Sequence, residues 1–367
     1  AVNLTPVKPI GRFSAKWDAL LPKVLAWAAS LSSTTSTART RPMRVCVVGG
    51  GAGGIELLLA MQHRLHAALL ERKQAGADGD GGAGINPADV LEICVVTRGD
   101  TVLASHPPRV QRVFRRVLRE RNVTVHYGCD VCSVEELSSS ADASDAPAYA
   151  GALVCRDRGA TKPSSSPSSS SSSSSSSDRI LFDECIWCTS AAAQPWLAAN
   201  TPLALDGGGF IAVDDTLQST NTPNVFAAGD VAGMVDYPRP KAGVFAVRQG
   251  PPLALNLRNA LLGLPLVPYA PQEHFLGLIS TGDRYAVLSR QGIVGSLAAC
   301  CQMMEGAALW RWKDHIDRTW MRGYQELPDM SAGAERGAAR AANGVAVARA
   351  AGQDALATLS HVAMRCG

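Results

Sequence analysis

Val45–Glu56 reads VCVVGGGAGGIE, an apolar run that breaks into glycines and resumes at Ile55. Arg44–Val48 is short and β-branched, which predicts a buried strand, and the apolar spacing of Ile55–Glu71 predicts a helix. Between them Gly49, Gly51 and Gly54 supply G-x-G-x-x-G, with Gly50 and Gly53 in the same loop. In that setting Gly49 permits a tight turn, Gly51 the close approach of a pyrophosphate, and Gly54 close packing of helix on strand. The free N–H groups and dipole at the start of the helix favour anions. A strand before the glycines and a helix after them favour a dinucleotide loop over a merely glycine-rich turn.

Outward from this loop the pattern repeats. Val90–Thr97 predicts a second strand, Pro108–Arg121 a basic helix with Val110, Val113, Phe114, Val117 and Leu118 inward, and Val123–His126 a third strand. The order β-α-β-α-β predicts an α/β fold with a parallel, Rossmann-like sheet. The second strand ends Thr97-Arg98-Gly99-Asp100, without the acidic residue that would hold a ribose 2′-hydroxyl. Arg98 is a candidate for a 2′-phosphate, and equally reads as a solvated turn residue. Residues 13–29 have helical spacing and 30–41 read as a linker. A Gly/Asp-rich insertion occupies 74–87. A low-complexity insertion at 138–177 ends in serines and is expected in a β-hairpin between strands at 153–156 and 180–187.

The chain has 367 residues, 46% hydrophobic, enough for two domains. Its net charge of +3 leaves no large unopposed basic surface, so the balance argues against a nucleic-acid partner. No stretch reaches the ~20 apolar residues of a membrane span. The 10 scattered cysteines do not suggest a disulfide scaffold, and an intracellular reducing compartment is expected. The start, AVNLTPVKPI, lacks the features of a signal peptide and fits a truncated or cleaved N-terminus.

A second signature is Thr222–Asp230, TPNVFAAGD, a strand that ends in Gly229-Asp230. RPKAG (239–243) and AVRQGPPLALNL (246–257) follow. With the glycine loop, these segments resemble the FAD/NAD(P)-binding pyridine nucleotide-disulfide oxidoreductases, in their type II NADH dehydrogenase-like branch. RPKAGVFAVRQGPPLALNLRNAL, FLGLISTGDRYAVLSR and LWRWKDHIDRTWMRGYQELPDM resemble more narrowly the dehydrogenase-like domain fused ahead of selenide, water dikinase. The final HVAMRCG is similar to the lead-in to that kinase.

The resemblance implies FAD and NAD(P)H as cofactors, hydride transfer from nicotinamide to flavin, and electrons passed on to a quinone or another small acceptor. It implies that Asp230 binds the flavin ribityl chain and that Gln249 and the 246–250 region lie beside the isoalloxazine ring. It places Glu56 on the nicotinamide side. Lys241 near the flavin reads as an electrostatic aid or a structural ion pair. A fused or associated selenide, water dikinase domain is the implied partner. A regulatory or docking module of such a fusion is the alternative function.

The implied layout is a lead-in helix and linker at 1–43 and a Rossmann-like NAD(P)H domain at 44–190. The domain is inserted in a partial FAD-binding domain that returns at 191–265. A small C-terminal α+β extension follows at 266–330, then a linker at 331–367. The family's flavin-pyrophosphate loop would require about one more domain upstream. Ser190 stands where that family usually has glycine.

Three further features have competing readings. Cys129-x-x-Cys132 and Cys185-x-x-Cys188 read as small buried side chains rather than zinc or dithiol sites, because positions three apart on a strand face opposite ways. Adjacent Cys300-Cys301 also read as structural. Trp310, Trp312, Ile316, Trp320 and Met321 interleave with basic residues, which fits either packing on the protein body or peripheral contact with a membrane.

Overall fold

The computed structural model describes residues 3–31, 41–74, 86–137, 149–156, 179–189, 191–290 and 305–326. The expected insertions therefore lie largely outside the described residues, as do Ser190, Cys300-Cys301, the 331–367 linker and HVAMRCG. The chain forms two compact units, residues 1–190 with 274–314, and residues 191–273 with 315–367.

In the first unit the chain supplies β1 (Leu4–Pro6), α1 (Ile10–Leu31), β2 (Met43–Val48), α2 (Ala52–Gln74), α3 (Pro87–Val90) and β3 (Leu91–Val96). It continues with α4 (Pro108–Glu120), β4 (Thr124–His126), β5 (Asp130–Glu136), β6 (Gly151–Arg156), β7 (Arg179–Phe182) and β8 (Glu184–Trp187). A 5-stranded sheet has the order β1-β8-β2-β3-β4, and its pairings are parallel. Helical crossovers therefore connect its central strands, α2 from β2 to β3 and α4 from β3 to β4.

The two-residue period of a strand sorts the core. Val45, Val47, Ile93, Val95 and Ile186 join α1, α2 and α4 on one face. Cys46, Val48, Cys94, Val96 and Cys185 meet Leu153, Cys155, Ile180 and Phe182 of the antiparallel β5-β6-β7 sheet on the other. Burial on both faces explains why these strands read as continuous apolar runs. Val110, Phe114, Val117 and Leu118 of α4 are buried and Val113 packs against the same core.

Several sequence expectations change. Thr222–Asp230 is not a strand: it is a turn with an isolated bridge from Phe226 to Gln218, followed by a 3-10 turn from Gly229. The run 180–187 is not one strand; it breaks at Asp183 into β7 of one sheet and β8 of the other. The Asp183 carboxylate accepts both Arg41 guanidinium nitrogens at 2.7 and 2.8 Å and the Arg44 N–H at 2.8 Å. Satisfying these donors fixes the corner between the sheets. The segment before residue 43 is also part of this unit, since β1 pairs with β8 and Leu20, Val24 and Trp27 of α1 are buried in its core.

The second unit contains α5 (Pro195–Asn200), β9 (Ile211–Val213), β10 (Ala232–Met234) and α6 (Gly243–Leu261), with β9 and β10 parallel. Its core gathers Leu197, Ile211, Val213, Leu217, Ala227 and Met234. The buried face of α6 carries amides that hold backbone in place of apolar side chains. Asn256 donates to the carbonyls of Thr216 and Val267 and accepts from the Val267 N–H, at 2.8–2.9 Å.

The chain then supplies β11 (Leu276–Ser280), β12 (Ala286–Arg290), β13 (Glu305–Gly306) and α7 (Ala307–Gln325). β11, β12 and β13 form an antiparallel sheet in the first unit. Arg121 donates to the Thr281 carbonyl at 2.7 Å and pairs with Asp283 at 2.6 Å, and Arg116 pairs with Glu305 at 2.8 Å. The start of α7 packs here through Leu309, Trp310 and Trp312, whereas Ile316, Trp320, Met321 and Tyr324 are exposed.

Candidate functional site

The glycine loop joins β2 to α2. Gly49 has φ +130°, and a Cβ there would lie 2.1 Å from the Cys188 carbonyl oxygen, so only glycine fits both the turn and the neighbouring strand exit. A Cβ at Gly54 would lie 2.0 Å from the Gly49 carbonyl oxygen, and its absence lets α2 start directly against the loop. Gly51 differs: a Cβ there would meet nothing within 4 Å. The loop is thus rigid at both ends and open in the middle, where the first N–H groups of α2 lack helical partners.

Hydrogen bonds fix this shape from outside. Gly49 N–H donates to the Val96 carbonyl at 2.9 Å, and Leu103 N–H donates to the Gly50 carbonyl at 2.7 Å. The Thr97 side chain stands where a Gly50 Cβ would be, at 2.6 Å, and Cys188 Sγ is 3.9 Å from the Cβ position of Gly53. Thr97 and Cys188 were not singled out as cradle residues by sequence reading. They follow the ends of β3 and β8, and only the sheet order brings those ends to the loop.

Arg98 follows Thr97 immediately and is exposed. Glu56 is on the first turns of α2, and its Oε1 accepts the Ser280 N–H at 2.6 Å. That contact ties the carboxylate to the hairpin of β11 and β12. The cysteine pairs differ from the expected burial, with Cys185 buried, Cys129 and Cys188 half-buried and Cys132 exposed. Cys132 is exposed where β5 bulges, its register with β6 shifting between Val131 and Ser133.

Gly229, Asp230, Lys241 and Gln249 come together in the second unit. They line a cavity of about 160 Å³ with Asp206, Phe210, Met234 and Tyr237. Gly229 has φ +71° and opens a single 3-10 turn that carries Asp230. Gln249 is 6% exposed, and its Oε1 accepts the Gly229 N–H at 2.5 Å. This buried amide holds the turn from α6 and so sets where Asp230 stands.

Lys241 Nζ donates to the Ala232 carbonyl at 2.5 Å and lies 3.9 Å from the Phe210 ring centroid. Burial lowers the pKa of its ammonium below the usual lysine range, and the nearby Asp206 and Asp230 carboxylates oppose that effect. Asp206 accepts the N–H groups of Gly208 and Phe210 at 2.8 and 3.0 Å. Asp206-Gly207-Gly208-Gly209 is a turn signal in sequence, but nothing local relates it to Asp230.

Three comparisons bear on this arrangement. A family profile described as pyridine nucleotide-disulphide oxidoreductase matches residues 28–250. A probable NADH dehydrogenase of Dictyostelium discoideum is 28% identical over 151 residues, which covers 40% of this chain and 33% of that protein. The matched part is therefore about a third of the curated relative's length. A putidaredoxin reductase–putidaredoxin complex superposes with TM-score 0.47 at 16% identity, over 81% of this chain and 55% of that one. An engineered water-forming NADPH oxidase gives TM-score 0.46 at 17% identity, over 78% and 46%.

Proposed function

Because the chain belongs to the pyridine nucleotide-disulphide oxidoreductase family, we propose that it is the nucleotide-binding part of an FAD-dependent NAD(P)H oxidoreductase of NADH dehydrogenase type, with a quinone or similar small molecule as electron acceptor. The observation that carries this reading is the Gly49–Gly54 loop, closed by backbone at Gly49 and Gly54 and open at Gly51. The free N–H groups there suit a pyrophosphate.

Flavin and nicotinamide, when bound, supply the hydride and electron chemistry. The protein's own residues bind and align. Asp230 offers a carboxylate to hydroxyl groups of the flavin chain, Gln249 holds the turn beneath it, and Lys241 offers positive charge to the same pocket. The exposed stripe Ile316, Trp320, Met321 and Tyr324, with Arg311, Arg318 and Arg322 elsewhere around α7, supports contact with a membrane surface where a quinone would be met.

The test is the visible spectrum of the full-length protein. Flavin bands that bleach under anaerobic addition of NADH or NADPH are expected. A colourless protein that still binds a nicotinamide nucleotide would overturn the flavin reading and favour a docking module.

A further inference from the structure

β4 is the last strand in the order of the parallel sheet, and no described residue pairs with its outer side. In a parallel ladder, alternate residues turn both backbone groups toward the neighbouring strand. The His126 carbonyl accepts the Thr97 N–H at 2.9 Å, so His126 is turned to β3 and Val125 is turned outward. The Val125 N–H and carbonyl have no hydrogen-bond partner among the described residues. A strand edge of this kind takes up a further strand. With 3 residues the edge is short, so the side chains beside it decide what joins.

The edge opens onto a groove of about 540 Å³ between β4 and the last turns of α4. Its floor is apolar: Leu118 and Val123 are buried, and Val125 packs on the same core. Arg115, Arg119 and Tyr127 stand around it and are exposed. Neither arginine has a hydrogen bond or ion pair with a described residue, whereas Arg116 is held by Glu305 and Arg121 by Asp283. No carboxylate lines the groove, and Glu120 pairs with Arg116 at 3.7 Å. The last carbonyls of α4, which would oppose an anion, are already occupied. Val117, Leu118 and Arg119 accept the N–H groups of Arg121, Val123 and Asn122, and Arg121 accepts the Gln62 amide. Two uncompensated positive charges therefore border an apolar floor and a free strand edge.

The spacing suits an extended segment. As the crossover from β3 to β4, α4 runs back alongside the strands. Arg115 and Arg119 are about 6 Å apart along that direction. Side chains on one face of a strand repeat at about 6.6 Å, so a strand added to β4 presents alternate residues to the two guanidinium groups in turn. We propose that the β4 edge docks an acidic, extended peptide of a partner protein. The peptide adds as a strand beside Val125 and sets carboxylates at alternate positions against Arg115 and Arg119. A second copy of the chain is disfavoured, because pairing β4 with itself would bring four unpaired arginines together. The proposal does not depend on the nucleotide reading.

The experiment measures, by fluorescence anisotropy, binding of the full-length protein to a fluorescein-labelled octapeptide that alternates glutamate with valine. Comparison peptides carry lysine for glutamate, glutamates at adjacent positions, or N-methyl groups on the central residues. The alternating peptide should bind at least about tenfold more tightly than each of them. Arg115→Gln combined with Arg119→Gln should weaken it at least about tenfold. Val125→Pro should do the same, because proline is tolerated on a strand edge but removes the outward N–H. The N-methyl peptide makes the backbone test without altering the protein. Equal binding of the adjacent-glutamate or N-methyl peptide would show charge attraction alone and overturn strand addition. Self-association of the protein that Val125→Pro abolishes would assign the edge to a second copy and overturn the proposal. Failure of every peptide to bind would overturn it as well.

Discussion

His106 shows how one side chain supports the site without facing it. It lies in the β3–α4 connection, three residues after Leu103, whose N–H holds Gly50, and its Nδ1 is 2.7 Å from Ser289 Oγ. Burial lowers its pKa below the usual histidine value. The unfolded chain then takes up a proton near pH 6.5 while the folded chain resists it, so stability falls as pH drops through about 6.5. Above that range the group contributes no pH dependence. The expected outcome is a thermal midpoint that decreases between pH 7.5 and 5.5, with a shallower slope in His106→Gln. An unchanged slope in the variant would place the dependence elsewhere, with half-buried His66 the next group to test. The glycine spacing was legible in sequence because backbone geometry alone demands it. His106 was not, since its partner is 183 positions away.

At the scale of elements, α4 could be read directly, because its arginines and its inward Val110, Phe114, Val117 and Leu118 separate at helical period. The 180–187 run could not. Its residues are apolar on both sides of Asp183-Glu184, and the ligand that turns the corner, Arg41, is 142 positions away from Asp183. Side chains of Arg41 and Asp183 are 11% and 5% exposed, so removal of one partner leaves a buried charge. Asp183→Ala should therefore destabilise the protein by about 3–5 kcal/mol in chemical denaturation. A cost below about 1 kcal/mol would show that the corner is held by packing alone. A related limit applied to α6, where Gln249, Asn256 and Asn259 are buried as backbone clamps. Amide residues at those positions carry no apolar signal.

At the scale of the whole molecule, the chain divides into two compact units, and residues 190 and 191 fall on either side of that division. Residues 274–314 rejoin the first unit through Arg116, Arg121 and Glu56, all distant in sequence. The proposed function divides the labour, with the nicotinamide nucleotide at Gly49–Gly54 and the flavin chain at Gly229–Asp230. Gly51→Asp separates the two. A Cβ there meets nothing within 4 Å, and aspartate just ahead of α2 favours the helix, yet its charge would repel a pyrophosphate. Nicotinamide-nucleotide affinity and flavin content are measured together in this variant of the full-length protein. The expected result is affinity weakened at least about tenfold, with flavin content and thermal midpoint unchanged. Unchanged nucleotide affinity, or loss of flavin with the nucleotide still bound, would contradict it.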